Sequence, residues 1–147
     1  LVAATSHTPD GPVRFMGVCI PWAAAHVTTG RRDAARWHEH LQFLETLGTL
    51  LREHPPSMPL VVMGDFNQRI PRTRAPRRVS EAMELVLGPL HVLTSGDVRG
   101  LPSGTIDHIA VTADLQASDV YGVERMGEQG RPLSDHDLVA ALLADRA

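Results

Sequence analysis

Short apolar runs broken by turn residues divide the chain into alternating strand-like and helix-like segments. Leu1–Thr5 and Val13–Ile20 read as strands, and the Asp10-Gly11-Pro12 turn between them predicts a hairpin. A loop from Pro21 to Arg32 follows, and Asp33 is placed to cap a long helix. On that helix Trp37, Leu41, Leu44, Leu47 and Leu51 repeat at helical spacing, with Phe43 and Leu50 widening the face. His54-Pro55-Pro56 stops it. Leu60–Met63 is a continuous apolar run between Pro59 and Gly64, the pattern of a strand covered on both faces. Ser80 is placed to cap a short helix ending at Leu87 before Gly88-Pro89. His91–Thr94, Ile106–Thr112, Ser118–Met126 and Leu138–Leu143 complete the strands. Helices interleaved with strands, some paired as hairpins, predict an α/β (α+β) sheet with helices on one face.

Composition narrows the class without naming a chemistry. The 147 residues suit one domain with a real core, and no apolar run approaches the roughly 20 residues of a membrane helix. The net charge of -3 argues against a general nucleic-acid coat protein. It leaves room for an enzyme whose clustered carboxylates hold a metal. All 14 basic residues are arginines, which in an Ala-, Leu- and Val-rich chain reads as base bias rather than function. The single cysteine, Cys19, rules out an internal disulfide and falls in an apolar strand, where a buried, inert thiol is expected. The chain opens inside a strand-like run, so a fragment or trimmed domain is expected. No leader is visible, but in a fragment that silence says nothing about secretion, so the location stays unknown, with cytoplasmic favoured.

Candidate chemistry lies in three stretches at or beside the ends of apolar runs: Met63-Gly64-Asp65-Phe66-Asn67, Gly104-Thr105-Ile106-Asp107-His108-Ile109 and Leu133-Ser134-Asp135-His136-Asp137. Asp65, Asp107 and Asp135 are hard oxygen donors of the kind Mg²⁺ prefers. His136 titrates near neutral pH, and Asn67 is an uncharged donor. The loop from Gln68 to Arg78 carries Arg69, Arg72, Arg74, Arg77 and Arg78, and guanidinium groups suit bidentate contact with phosphate. His7, His38, His40, His54 and His91 are dispersed, without zinc-site spacing, and read as structural or surface residues. His108 follows Asp107 in a strand and is expected on the opposite face, in packing.

In this order, the three stretches resemble the C-terminal half of the endonuclease/exonuclease/phosphatase superfamily, which includes DNase I and exonuclease III-type nucleases. The resemblance implies a four-layer α-β-β-α sandwich, of which residues 1–147 would supply one partial domain, the C-terminal half. It implies a Mg²⁺-dependent (or Mn²⁺-dependent) phosphoesterase, foremost a nuclease, with nucleic acid or another phosphodiester as substrate. Asp65 would orient or deprotonate the attacking water, while Asn67 would hold the phosphate and Asp65. Asp107 would bond the catalytic imidazole, and His136 would contact the scissile phosphate. Asp135, with Asp65, would serve the metal, and Arg69 and Arg72 would grip substrate.

The sequence departs from the family in three ways. Cys19-Ile20-Pro21-Trp22 lacks the Tyr or His that members carry there, leaving His26 as a substitute acid or, on the simpler reading, a solvated loop residue. The Trp- and Arg-rich signature of inositol phosphatases is not seen before Ile106. The family's metal-binding Glu has no counterpart, since Glu39, Glu45 and Glu53 fall on the long predicted helix. Two alternatives therefore stand beside the nuclease: an incompetent fragment or pseudoenzyme acting as a folding or binding unit, and a phosphatase of small or lipid phosphoesters. A half-sandwich would also expose an apolar sheet face and self-associate through it.

Overall fold

The computed structural model describes residues 1–27, 32–53, 57–127 and 129–145. In chain order the elements are β1 (Val2–Thr8), β2 (Gly11–Cys19), α1 (His38–Glu53), β3 (Leu60–Asp65), α2 (Arg77–Leu87), β4 (His91–Val92), β5 (Asp107–Val111), β6 (Leu115–Val123) and β7 (Leu138–Asp145). The first five strands form one sheet in the order β1-β2-β3-β5-β4, and β6 and β7 form a second, two-stranded sheet. Only β2 and β3 run parallel in the larger sheet, because α1 carries the chain back across it between them.

Strand alternation sorts the side chains into two cores. Met16, Val18, Leu60, Val62 and Ala110 face the helices and pack with Leu44, Leu47, Met83, Val86 and Leu87. Val13, Val61, Ile109 and Val111 face the other way, against Leu115, Val139, Ala141 and Leu143 of the β6–β7 hairpin. β3 is apolar on both sides over Leu60–Val62 because both faces are covered there, whereas Met63, expected to be covered too, is 41% exposed at the open depression. The layers are thus helices, a five-stranded sheet and a two-stranded sheet. This is the α/β architecture the hydrophobic pattern predicts, and it corresponds to part of a four-layer sandwich.

Several expected boundaries move, each for a local reason. α1 begins at His38 and not after Asp33: Trp37 adopts a left-handed φ of 69° just before it and accepts the Leu41 N–H at 3.0 Å. α2 begins at Arg77, where Pro76 pre-sets a φ of -56° without a side-chain cap. Ser80 therefore lies inside the helix, and its hydroxyl donates to the Arg77 carbonyl at 2.9 Å. β4 stops at Val92, since at Thr94 the hydroxyl, rather than the backbone carbonyl, accepts the Ile109 N–H at 3.1 Å. β6 starts at Leu115 and ends at Val123, with a register shift between Ala117 and Asp119. The His54-Pro55-Pro56 stop lies outside the described residues, as does part of the Pro21–Arg32 loop.

The buried, inert reading of Cys19 is corrected: its thiol is exposed. Odd-numbered residues at this end of β2 turn away from the helices, and here the β6–β7 hairpin no longer covers them. What remains is an open depression of about 850 Å³ bordered by Val2, Gly17, Cys19, Met63, Ile109 and Leu138.

Candidate active site

The larger sheet brings two of the three motifs side by side through strand register. β3 and β5 are antiparallel neighbours, and their pairing sets Asp65 directly opposite Asp107. On the other flank, Cys19 of β2 pairs with Asp65. Asp65 and Asp107 share the sheet face that carries Val61, Ile109 and Val111, as period-two alternation requires.

The third motif arrives from the second sheet. β7 begins at Leu138, so the segment before it, Ser134 to Asp137, overhangs the end of β5. Arg125 holds that segment: its N–H donates to Asp137 Oδ1 at 2.8 Å and its guanidinium to the Asp135 carbonyl at 2.8 Å. The Ser134 hydroxyl accepts the His136 N–H at 3.2 Å. These contacts aim the His136 ring at β5, where Nδ1 lies 2.8 Å from Asp107 Oδ2. The Thr105 hydroxyl in turn accepts the Asp107 N–H at 2.9 Å and shapes the turn that carries this carboxylate.

The Asp65–Asn67 turn closes on itself. Asp65 Oδ1 accepts the Asn67 backbone N–H at 2.8 Å, and Asp65 Oδ2 accepts an Asn67 Nδ2 proton at 2.6 Å. Nδ2 also donates to the Ile20 carbonyl at 2.8 Å. Both amide protons are thereby engaged, leaving Oδ1 as the group of Asn67 without such a tie to the turn. Asn67 has a left-handed φ of 51°, a conformation that Asn tolerates better than most side chains.

Donor atoms of Asp65, Asp107 and His136 lie within 4.8 Å of one another. Two carboxylates suit a hard divalent cation. His136 Nδ1 is committed to Asp107, so Nε2 is the ring atom left for substrate or metal. The bond to Asp107 pushes the His136 pKa above 6.5 against a smaller opposing effect of burial. Burial, helped by the nearby charges of Asp65 and Asp137, pushes the Asp107 pKa up on balance, against the lowering pull of the His136 imidazole. An imidazolium facing a carboxylate is the ordinary outcome when the ring gains an acidic partner.

The sign of the His136 shift has a measurable consequence. A raised folded-state pKa means that the native protein holds this proton more tightly than the unfolded chain. The associated stability is fully present below pH 6.5 and is lost as pH rises through the folded-state value. An NMR titration of the metal-free protein should place the His136 midpoint above 6.5, and Asp107→Asn should lower it. A midpoint unmoved by that substitution would remove Asp107 as the cause.

The remaining predicted residues are spread around this centre. Asp135 is exposed and borders, with Asp107, His136 and Asp137, a polar depression of about 400 Å³. Arg69 borders the same depression and donates to the Ser103 hydroxyl at 3.1 Å. Arg72 does not join it: its guanidinium donates to the Ala75 carbonyl at 3.2 Å, and it borders a separate cavity of about 200 Å³ beside α2. His26 faces Glu39, 3.1 Å away, and is absent from the Asp65–Asp107–His136 cluster. Arg125 and Ser103 were not singled out by sequence, and Thr105 entered only as a member of its motif, without a role. Arg125 sits in a stretch without a motif, and nothing local ties it to Asp135 and Asp137.

No protein-family description matches the sequence, and no curated protein matches it. Among solved structures, a functionally unknown conserved protein from Enterococcus faecalis V583 superposes with a TM-score of 0.62 at 18% identity, over 95% of this chain and 52% of its own. An endonuclease/exonuclease/phosphatase family protein from Bacteroides thetaiotaomicron aligns at 17% identity and TM-score 0.45, over 90% of this chain and 48% of its own. The human Nocturnin catalytic domain aligns at 16% identity and TM-score 0.49, over 98% and 52%. The chain spans about half the length of these structures. The Enterococcus likeness shows a shared fold.

Proposed function

We propose that this chain carries the reaction centre of a divalent-metal-dependent phosphoesterase, foremost a nuclease acting on phosphodiesters, and forms the C-terminal half of an endonuclease/exonuclease/phosphatase-type domain. The observation that carries the reading is the imidazole–carboxylate pair of His136 and Asp107, 2.8 Å apart and within reach of Asp65. Phosphoryl transfer needs a positioned water and fixed positive charge near the equatorial oxygens. Asp65, held through both oxygens by Asn67, is the group to orient and accept a proton from that water. His136, kept in its charged form by Asp107, stabilises charge on the phosphate through Nε2.

Asp65 and Asp135 are the carboxylates assigned to Mg²⁺, with Mn²⁺ as a substitute. The ion would neutralise charge on the transferring phosphoryl group. Two oxygen donors suffice for Mg²⁺, which keeps several waters. Arg69, on the rim of the polar depression, is the residue to grip a neighbouring phosphate. Arg72 would reach substrate only by leaving its tie to Ala75.

A substrate panel tests this reading: plasmid DNA, a single-stranded oligonucleotide, a small aryl phosphodiester and the matching monoester, each with Mg²⁺. Diesters should be cut in preference to the monoester, and Arg69→Ala should raise KM for the nucleic acids by about tenfold, the scale of one lost charge-assisted contact. Preference for the monoester would move the assignment to a small-phosphoester phosphatase.

The partner assignment includes a second copy of the chain. Val2 (69% exposed) and Met63 (41%) border the open depression, and Leu142 (64%) and Val123 (52%) lie exposed on the β6–β7 hairpin. Exposed apolar side chains of this kind favour association. Light scattering should give a mass above one chain at micromolar concentration, and a charged Met63→Glu variant should lower it. A strictly monomeric wild type would refute this assignment.

A further inference from the structure

Behind the Asp65–Asn67 turn lies a buried polar chain that the proposed reaction does not use. His40, Gln68, Thr94 and His108 are between 0% and 4% exposed, yet all are hydrogen-bonded. His40 Nδ1 is 2.8 Å from the Pro21 carbonyl and Nε2 is 2.7 Å from Gln68 Nε2. Gln68 Nε2 also reaches the Val79 carbonyl at 3.3 Å. From the opposite side, His108 Nε2 is 3.0 Å from the Gln68 backbone carbonyl, and His108 Nδ1 is 2.9 Å from the Thr94 hydroxyl.

Donor and acceptor logic assigns every proton in this chain. A carbonyl oxygen only accepts, so His40 carries its proton on Nδ1 and His108 on Nε2. The other nitrogen of each neutral ring then accepts: His40 Nε2 from the Gln68 amide, and His108 Nδ1 from the Thr94 hydroxyl. Gln68 Nε2 faces two acceptors, which fixes it as the amino end of that side chain. Burial pushes both imidazole pKa values down, in keeping with neutral rings.

We infer that His40 and His108 are positioning residues, a two-sided clamp on Gln68 that holds the adjoining Asn67 turn and so the Asp65 carboxylate in place. One ring grips the Gln68 side chain and the other its backbone. Asn67, next in the chain, is thereby held at its left-handed φ of 51° with Nδ2 on Asp65 and on Ile20. Packing supports the arrangement, since Phe66 meets His108 edge-on with ring centroids 5.4 Å apart. The clamp deepens the proposed function and rests on that reading only for its effect on rate. Its structural content can be tested without any substrate.

Ring ¹⁵N spectra of the wild type at pH 7 should show a neutral Nδ1–H tautomer for His40 and a neutral Nε2–H tautomer for His108. The opposite tautomers, or charged rings, would overturn the inference. The H40L/Q68M double variant removes both sides of the His40–Gln68 bond together, leaving only the Pro21 and Val79 carbonyls without their side-chain donors, and should therefore keep a higher Tm than either single change. The Asn67 side-chain amide protons, both hydrogen-bonded in the wild type, should then exchange at least tenfold faster. Unchanged exchange in the folded double variant would overturn the clamp.

Thr94→Val, nearly isosteric, reads the His108 side if the double variant does not fold. It should also speed Asn67 exchange, and Thr94→Ser should restore it, whereas no change in Thr94→Val would count against the clamp. If the wild type hydrolyses phosphodiesters, kcat in H40L/Q68M should fall about 10–10²-fold, the scale for a displaced catalytic group, with KM unchanged. A kcat that simply follows Tm across the variants would mean the histidines act only in folding. If a protein carrying the whole domain hydrolyses nothing, the proposed function fails, while the tautomers and amide exchange still decide the clamp.

Discussion

His136→Ala is expected to lower metal-dependent phosphodiester turnover by about 10²–10⁴-fold while leaving the melting temperature almost unchanged. That range is typical for a lost positioned acid–base or charge-stabilising group. His136 is part-exposed and overhangs the sheet end, so removing its ring opens no cavity in either core. The cost falls instead on Asp107. Its carboxylate, already pushed towards protonation by burial, loses the partner that favours its charged form. Asp65→Ala should lose a similar factor, because Asn67 then has no carboxylate to orient. Steady-state rates with a small diester, paired with thermal unfolding, check both. A His136→Ala rate within threefold of wild type would exclude this imidazole from the chemistry.

The largest expected effect on folding comes from Gly64→Ala. Gly64 has a φ of 133°, where an L side chain is strained, and a Cβ built there would meet the Val18 carbonyl oxygen in a steric overlap. That carbonyl belongs to β2, hydrogen-bonded to β3 in parallel register with Val18 opposite Gly64. Neither strand can retreat cheaply, since Val18 and Val62 anchor them in the helix-facing core. Backbone strain of about 1–3 kcal/mol adds to the loss of strand pairing. The total should reach about 4 kcal/mol, the range reserved for disrupted backbone and core. Denaturant unfolding measures it. A loss under about 1 kcal/mol would mean that the β2–β3 contact yields more easily than its geometry implies. Because Cys19 and Asp65 are the next pair along, the same substitution should disturb the site in whatever fraction remains folded.

Much of this was legible in the sequence because it rests on periodicity. The Leu44–Leu47–Leu51 face of α1 and the continuous apolar run of β3 are direct imprints of burial, one on a single face and one on two. The convergence of Asp65, Asp107 and His136 was legible only through motif order, since no local rule pairs β3 with β5 or swings the Ser134–Asp137 segment over them. Burial of the site's supports was only partly legible, for a physical reason. Strand alternation did place His108 in packing, where it is found 1% exposed, but His40 looks like one of several dispersed histidines, and the partner they share, Gln68, lies far from each along the chain. Cys19 misled because an apolar strand was taken to be covered along its whole length. The β6–β7 hairpin covers only part of that face.

The most direct test is the rate of phosphodiester hydrolysis against Mg²⁺ concentration by a protein carrying the whole domain of which this chain is the proposed C-terminal half, in wild type and Asp107→Asn. Asp107→Asn keeps the side chain's size but removes the charge that holds His136 as an imidazolium. The expected result is a rate that saturates with Mg²⁺, vanishes with chelator and falls at least 10²-fold in the variant. Hydrolysis indifferent to chelation, or equal in the two proteins, would contradict a metal-assisted centre built on Asp65, Asp107 and His136.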